Sequence, residues 1–162
     1  MKFLEAEINE KIFKRLAIVG LILIFLFALI VLIQYSMLKP YTLGNNTTVD
    51  DVDIVESVAV NKGTRMIEIV GYAYKTGEKV ETFNSSFILK NKESGKMYKM
   101  HTTMEKRLEL MAVDEIYDCS NCGMIAKSFT IGLKPGIYDV CIAYNNNGHD
   151  IFSETGIEVE IN

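Results

Sequence analysis

From Leu16 to Ile33 the chain reads LAIVGLILIFLFALIVLI, a run in which no side chain is polar. Wound as a helix at about 1.5 Å per residue, these residues cover about 27 Å, close to the hydrocarbon thickness of a bilayer. No face of such a helix is polar, so it does not read as the amphipathic helix of a soluble core. Gln34 to Leu38 extend the run as far as Lys39 and Pro40, and the pattern predicts a transmembrane helix over 16–38. A cleaved signal peptide has an apolar stretch of about 7–15 residues ending in a small-x-small site. Here the run is longer, and Gln34-Tyr35-Ser36-Met37-Leu38 puts bulky residues where small ones are needed. The segment is therefore expected to remain as a signal anchor.

Beyond residue 50 the period shortens to that of strands. Val52–Val60, Met66–Tyr74, Phe83–Lys90, Met97–Thr103, Leu108–Val113, Gly123–Leu133, Ile137–Tyr144 and Ile151–Ile161 are rich in β-branched and aromatic residues. They are separated by turn signals such as Asn61-Lys62-Gly63, Asn91 to Gly95 and Asn145 to Gly148, and none shows sustained helical periodicity. Seven or eight short strands predict an all-β, immunoglobulin-like two-sheet sandwich. The expected organisation is a short tail over 1–15, the helix over 16–38, a polar juxtamembrane spacer over 39–50 and the sandwich over 51–162.

One local motif refines this expectation. Leu133-Lys134-Pro135-Gly136-Ile137-Tyr138 has the form of a tyrosine corner, in which the Tyr138 hydroxyl bonds back to upstream backbone. Alternation then sets Tyr138, Val140, Ile142 and Tyr144 on one face of the following strand, with Cys141 pointing away from the core.

Charge orients the anchor. Lys2, Lys11, Lys14 and Arg15 precede the span and only Lys39 follows it closely. The positive-inside rule places the N-terminus in the cytoplasm and the C-terminal domain outside a cell membrane crossed once. Tyr35 and Tyr41 fall where interfacial aromatics are expected. The composition divides in the same way: 27 of the 79 apolar residues lie in the first 40, which carry a net charge of +2, against −6 for the remainder. The overall 49% apolar content thus chiefly records the anchor, and the acidic exterior part is no nucleic-acid binder.

Cys119, Cys122 and Cys141 are the cysteines. An oxidising exterior permits disulfides, and the odd count leaves one thiol over. Cys141 could bridge to Cys119 or Cys122, pinning the 114–123 loop to an outer sheet face. Cys119 and Cys122 could pair across Ser120-Asn121, or all three could stay reduced. A thioredoxin-like centre wants a helix after Cys122, and a zinc site wants a fourth ligand that His101 and His149 do not supply by spacing.

Other clusters have plain readings. Asp50, Asp51 and Asp53 match no calcium loop and read as a solvated edge. Lys90, Lys92, Lys96, Lys99, Lys106 and Arg107 read as a charged hairpin guarding a sheet edge. Nucleophile motifs, metalloprotease motifs and phosphate-cradling loops are absent from the sequence, so no enzymatic activity, cofactor or metal is expected.

Met66 to Ile161 resembles a loose class of bacterial membrane-anchored, extracytoplasmic immunoglobulin-like β-sandwich domains. The resemblance rests on the second strand Ile67 to Ala73, the Phe87-to-Asn91 strand, Arg107, the Gly123-Met124 step and the Leu133–Tyr138 corner, with Met124 departing from the aromatic found there in the class. Domains of this look are seen beside surface-polysaccharide and teichoic-acid machinery. The resemblance implies a non-enzymatic binding or accessory module for envelope polysaccharide or its assembly machinery, with the lipid bilayer and an envelope glycan or membrane protein as partners. Two alternatives stand beside it: a structural subunit acting through its helix, and an extracytoplasmic thiol protein using Cys119 and Cys122.

Overall fold

The computed structural model describes residues 10–45, 47–49, 53–111 and 117–162. They form two units, divided between residues 35 and 36. The first is a helix, α1 (Glu10–Ser36). Its stretch Ile12–Ile33 has a mean hydropathy of 3.5 and is long and apolar enough to span a membrane. Side chains all around this stretch, from Leu16 and Phe25 to Leu32, are exposed. Lys14 and Arg15 lie near its N-terminal end.

The second unit is built of strands: β1 (Lys39–Tyr41), β2 (Thr48–Val49), β3 (Ile54–Lys62), β4 (Met66–Lys75), β5 (Ser86–Asn91), β6 (Met97–Lys99), β7 (Thr102–Glu105), β8 (Gly123–Phe129), β9 (Gly136–Asn146) and β10 (His149–Ile161). They make two sheets, one in the order β1-β6-β5-β9-β10-β2 and one in the order β3-β4-β8-β7. All pairings are antiparallel except β2 on β10.

The core follows from alternation. β4 turns Ile67, Ile69 and Ala73 inward, β5 contributes Phe87 and Leu89, and β9 contributes Tyr138, Val140, Ile142 and Tyr144, all close to fully buried in one cluster. At about 1.5–3 kcal/mol per large apolar side chain, this cluster is the principal source of stability. Gly71 in β4 is fixed by its neighbour strand, since a Cβ there would lie 2.3 Å from the Ser57 carbonyl oxygen. The β9–β10 hairpin closes on Asn147 and Gly148, both with positive φ (51° and 81°), as a two-residue hairpin turn demands. Near its other end β10 bulges between Glu154 and Ile157. There Gly156 takes a positive φ and the Thr155 hydroxyl donates to the Val140 carbonyl at 2.7 Å.

Several elements differ from the sequence expectation. The 39–50 segment, read as spacer, supplies β1 and β2, which pair at opposite edges of the larger sheet. Together with the separate short β6, they bring the number of strands to ten among the described residues. Met97–Thr103 is not one strand. It breaks at buried Met100, whose N–H donates to the Phe87 carbonyl, and the chain passes from one sheet to the other. Leu108–Val113 was expected as a strand, but Leu108–Leu110 is a 3-10 turn that buries Leu110, while 112–116 lie outside the described residues. A second 3-10 turn, Ser120–Cys122, leads directly into β8.

Candidate functional site

The outer face of the larger sheet carries two kinds of surface. Towards one end, charges pair across strands: Lys90 with Glu154, and Lys92 with Glu158 and Asp139. Arg107 pairs with Glu109. Much of the basic cluster seen in the sequence is thus neutralised in place. Towards the other end, Ile88, Cys141 and Phe152 form a small buried cluster on the side opposite the main core. Tyr41 of β1 covers it, stacked on Phe152 with ring centroids 6.5 Å apart.

Beside this lid lies a cleft of about 200 Å³. Its polar lining comes from Tyr41, Thr47, Asn84, Lys99, Asn145 and Asp150. β1 supplies the aromatic ring and β6 supplies Lys99, which faces Lys39 across the β1–β6 pairing. Neither lysine forms an ion pair among the described residues. The β9–β10 hairpin supplies Asn145 and Asp150, joined by a hydrogen bond from the Asn145 amide to the Asp150 carboxylate. Asn145 is held on two further sides: its N–H donates to the Ser85 hydroxyl at 2.9 Å, and its carbonyl accepts from the Asn84 N–H at 2.9 Å. Burial, and then the charge of Asp150, raises the Tyr41 phenol above its usual range, so its hydroxyl stays neutral.

The cleft therefore presents a flat ring, amides that both donate and accept, one ammonium and one carboxylate. It is smaller than the roughly 300–1,000 Å³ of pockets that enclose a whole small molecule.

Next to the cleft the 76–85 loop is clamped to the β9–β10 hairpin by Asn146, which is fully buried. Its amide donates to the Glu78 carboxylate at 2.6 Å and to the Lys79 carbonyl at 3.0 Å. Its carbonyl oxygen accepts from the N–H groups of Glu81 and Thr82. Glu78 also meets His149 Nδ1 at 3.0 Å.

The residues singled out from sequence are distributed as follows. The Tyr138 hydroxyl donates to the Lys134 carbonyl at 2.9 Å. Cys141 points away from the main core into the outer cluster, and Cys119 and Cys122 belong to a different cluster with Tyr74 and Leu110. All three cysteines are buried free thiols, with Cys141 in a cluster separate from that of Cys119 and Cys122. Among the described residues no group of three or more His, Cys, Asp or Glu side chains is placed to hold a metal ion. Asp53 lies in a turn where its carbonyl accepts from the Thr76 N–H, and Asp50 and Asp51 lie outside the described residues.

The cleft itself was missed in the sequence. Tyr41 reads there as an interfacial aromatic, and only the β1 pairing brings it to Asn145 and Asp150. A Pro-Tyr pair flanked by a short strand-like run was the available signal. No family model matches the chain, and neither a curated protein nor a solved structure is similar to it.

Proposed function

We propose that this chain is anchored in a cell membrane by α1, crossing once with its N-terminus in the cytoplasm, and that its β unit is an extracytoplasmic, immunoglobulin-like, non-enzymatic module. In this reading the module binds envelope polysaccharide, or serves the machinery that assembles it, through the cleft beside Tyr41. The single observation that carries the reading is the chemistry of that cleft. A sugar unit offers hydroxyls that donate and accept together with an apolar C–H face. Asn84, Asn145 and Asp150 answer the first, and the Tyr41 ring answers the second. The apolar girth of α1 supports the anchor, and Lys11, Lys14 and Arg15 at its N-terminal end support the orientation. The bond from Tyr138 to Lys134 supports the immunoglobulin-like reading.

The test uses the full chain in lipid nanodiscs, presented to an array of neutral and phosphate-bearing bacterial envelope oligosaccharides. Binding that falls at least tenfold in Asn145→Ala and Tyr41→Ala, with the fold retained by circular dichroism, is the expected result. No binding to any glycan, or binding indifferent to both substitutions, overturns it. Protease accessibility of the C-terminal unit in intact cells checks the orientation.

A further inference from the structure

We propose that Cys119 and Cys122 are an oxidisable dithiol that closes into an intramolecular disulfide, leaving Cys141 as the remaining thiol. The geometry of one turn carries this. Ser120–Cys122 is a 3-10 turn whose Cys122 N–H donates to the Cys119 carbonyl at 3.0 Å. In such a turn the side chains of residues i and i+3 eclipse, so both sulfurs stand on the same face. The Cys119 thiol itself donates to the Tyr117 carbonyl at 3.8 Å. Both cysteines are fully buried, beneath Tyr74 and Leu110 and beside Val80 and Phe83.

The turn is held rigidly from outside. The Ser120 carbonyl accepts from the Arg107 N–H at 2.7 Å, and the Ser120 N–H donates to the Asp118 carboxylate at 2.8 Å. Gly123, the residue after the turn, lies so close under Arg107 that an added Cβ would meet its Cγ at 2.4 Å. These contacts tie the turn that carries the two cysteines to Arg107 and Asp118. Among the described residues no third His, Cys, Asp or Glu joins the two sulfurs in a metal-holding group.

The step is thiol–disulfide exchange with a disulfide-bearing oxidant, RS–SR. One cysteine thiolate attacks the oxidant, forming a mixed disulfide and expelling one RS⁻. The second thiolate then attacks the protein sulfur of the mixed disulfide, forming the Cys119–Cys122 bond and expelling the second RS⁻. Two electrons pass to the oxidant, and the two thiol protons end on two RSH molecules. Burial raises the Cys122 thiol well above its ordinary range, so the pair reacts slowly and suits a structural bond rather than a catalyst of exchange. This inference is independent of the glycan reading.

The experiment incubates the full chain in detergent with oxidised glutathione, quenches, denatures and alkylates it, and reads the intact mass and a peptide map. The reduced chain takes three alkyl groups. After oxidation one is expected, with a Cys119–Cys122 link in the map and a Tm higher by about 5 °C, reversed by reductant. Cys141→Ser should still close the bond. Three alkylatable thiols after treatment that cross-links the urea-unfolded chain, or a link involving Cys141, overturns the proposal. Should Cys119→Ser fail to fold, wild type and Cys141→Ser still decide it.

Discussion

The Tyr41 ring stacks on Phe152 at 6.5 Å, with planes 15° apart. Through this contact a residue only a few positions beyond the apolar helix becomes part of the larger sheet, where it covers Ile88 and Cys141. Leu38 also packs against the main core. A soluble fragment must therefore begin at Ser36 and not after Tyr41. The 36–162 fragment is expected to unfold cooperatively. The 42–162 fragment should be less stable by about 2 kcal/mol or more, from the lost aromatic burial and edge pairing. Urea denaturation of the two fragments, compared at equal m-value, checks this, and equal midpoints would refute it.

Two buried tyrosines of β9 should respond in opposite ways to loss of their hydroxyls. Tyr138 donates to the Lys134 carbonyl, so Tyr138→Phe should cost about 1 kcal/mol and leave that carbonyl unsatisfied. Among the described residues the Tyr144 hydroxyl is buried with no partner at hydrogen-bonding geometry, so Tyr144→Phe should be neutral or slightly stabilising. Thermal unfolding of the pair in parallel reads the contrast.

The sequence made the strongest periodic signals legible. The run 16–33 dictates a helix by length and apolarity alone, and the inward set Tyr138, Val140, Ile142 and Tyr144 emerges from a period of two. What stayed hidden depends on long-range pairing. Nothing local marks Met100 as the point where the chain changes sheets, because both flanking pieces have the same alternation. Leu110 is apolar and spaced like a strand residue, yet it caps the cluster holding Cys119 and Cys122 from a 3-10 turn. Tyr41, Lys99, Asn145 and Asp150 are distant in sequence, and only the strand order gathers them into one cleft.

Asn146 holds the 76–85 loop through four hydrogen bonds from a side chain with no exposed surface. Asn146→Ala takes the acceptor from the Glu81 and Thr82 N–H groups and one donor each from the Glu78 carboxylate and the Lys79 carbonyl, which keep His149 and Asn147, and it opens a small cavity. The expected cost is about 2–4 kcal/mol. Amide hydrogen exchange should quicken first at Glu81 and Thr82, whose N–H groups lose their acceptor. Unchanged exchange at those two amides would show that the loop is held by other contacts.

Alkaline pH should destabilise the β unit through its buried neutral acids. Burial pushes the Cys141 thiol from an ordinary 9.0 up to about 12 and the Tyr144 phenol from 10.0 up to about 12. It raises Cys122 and Tyr138 as well. In the unfolded chain these groups ionise near 9.0 and 10.0, so above pH 9 the unfolded state sheds protons that the native state retains. Stability is then complete below pH 9 and falls as pH rises towards 12, since the native state binds more protons than the unfolded one. Under reductant, the urea midpoint should be flat from pH 7 to 8.5 and decline from 9 to 10.5. Cys141→Ala should start from a somewhat lower midpoint and decline less steeply, because one of the buried thiols that titrates only on unfolding has gone. A variant whose slope above pH 9 equals that of the wild type would mean that Cys141 ionises as freely in the folded chain as in the unfolded one.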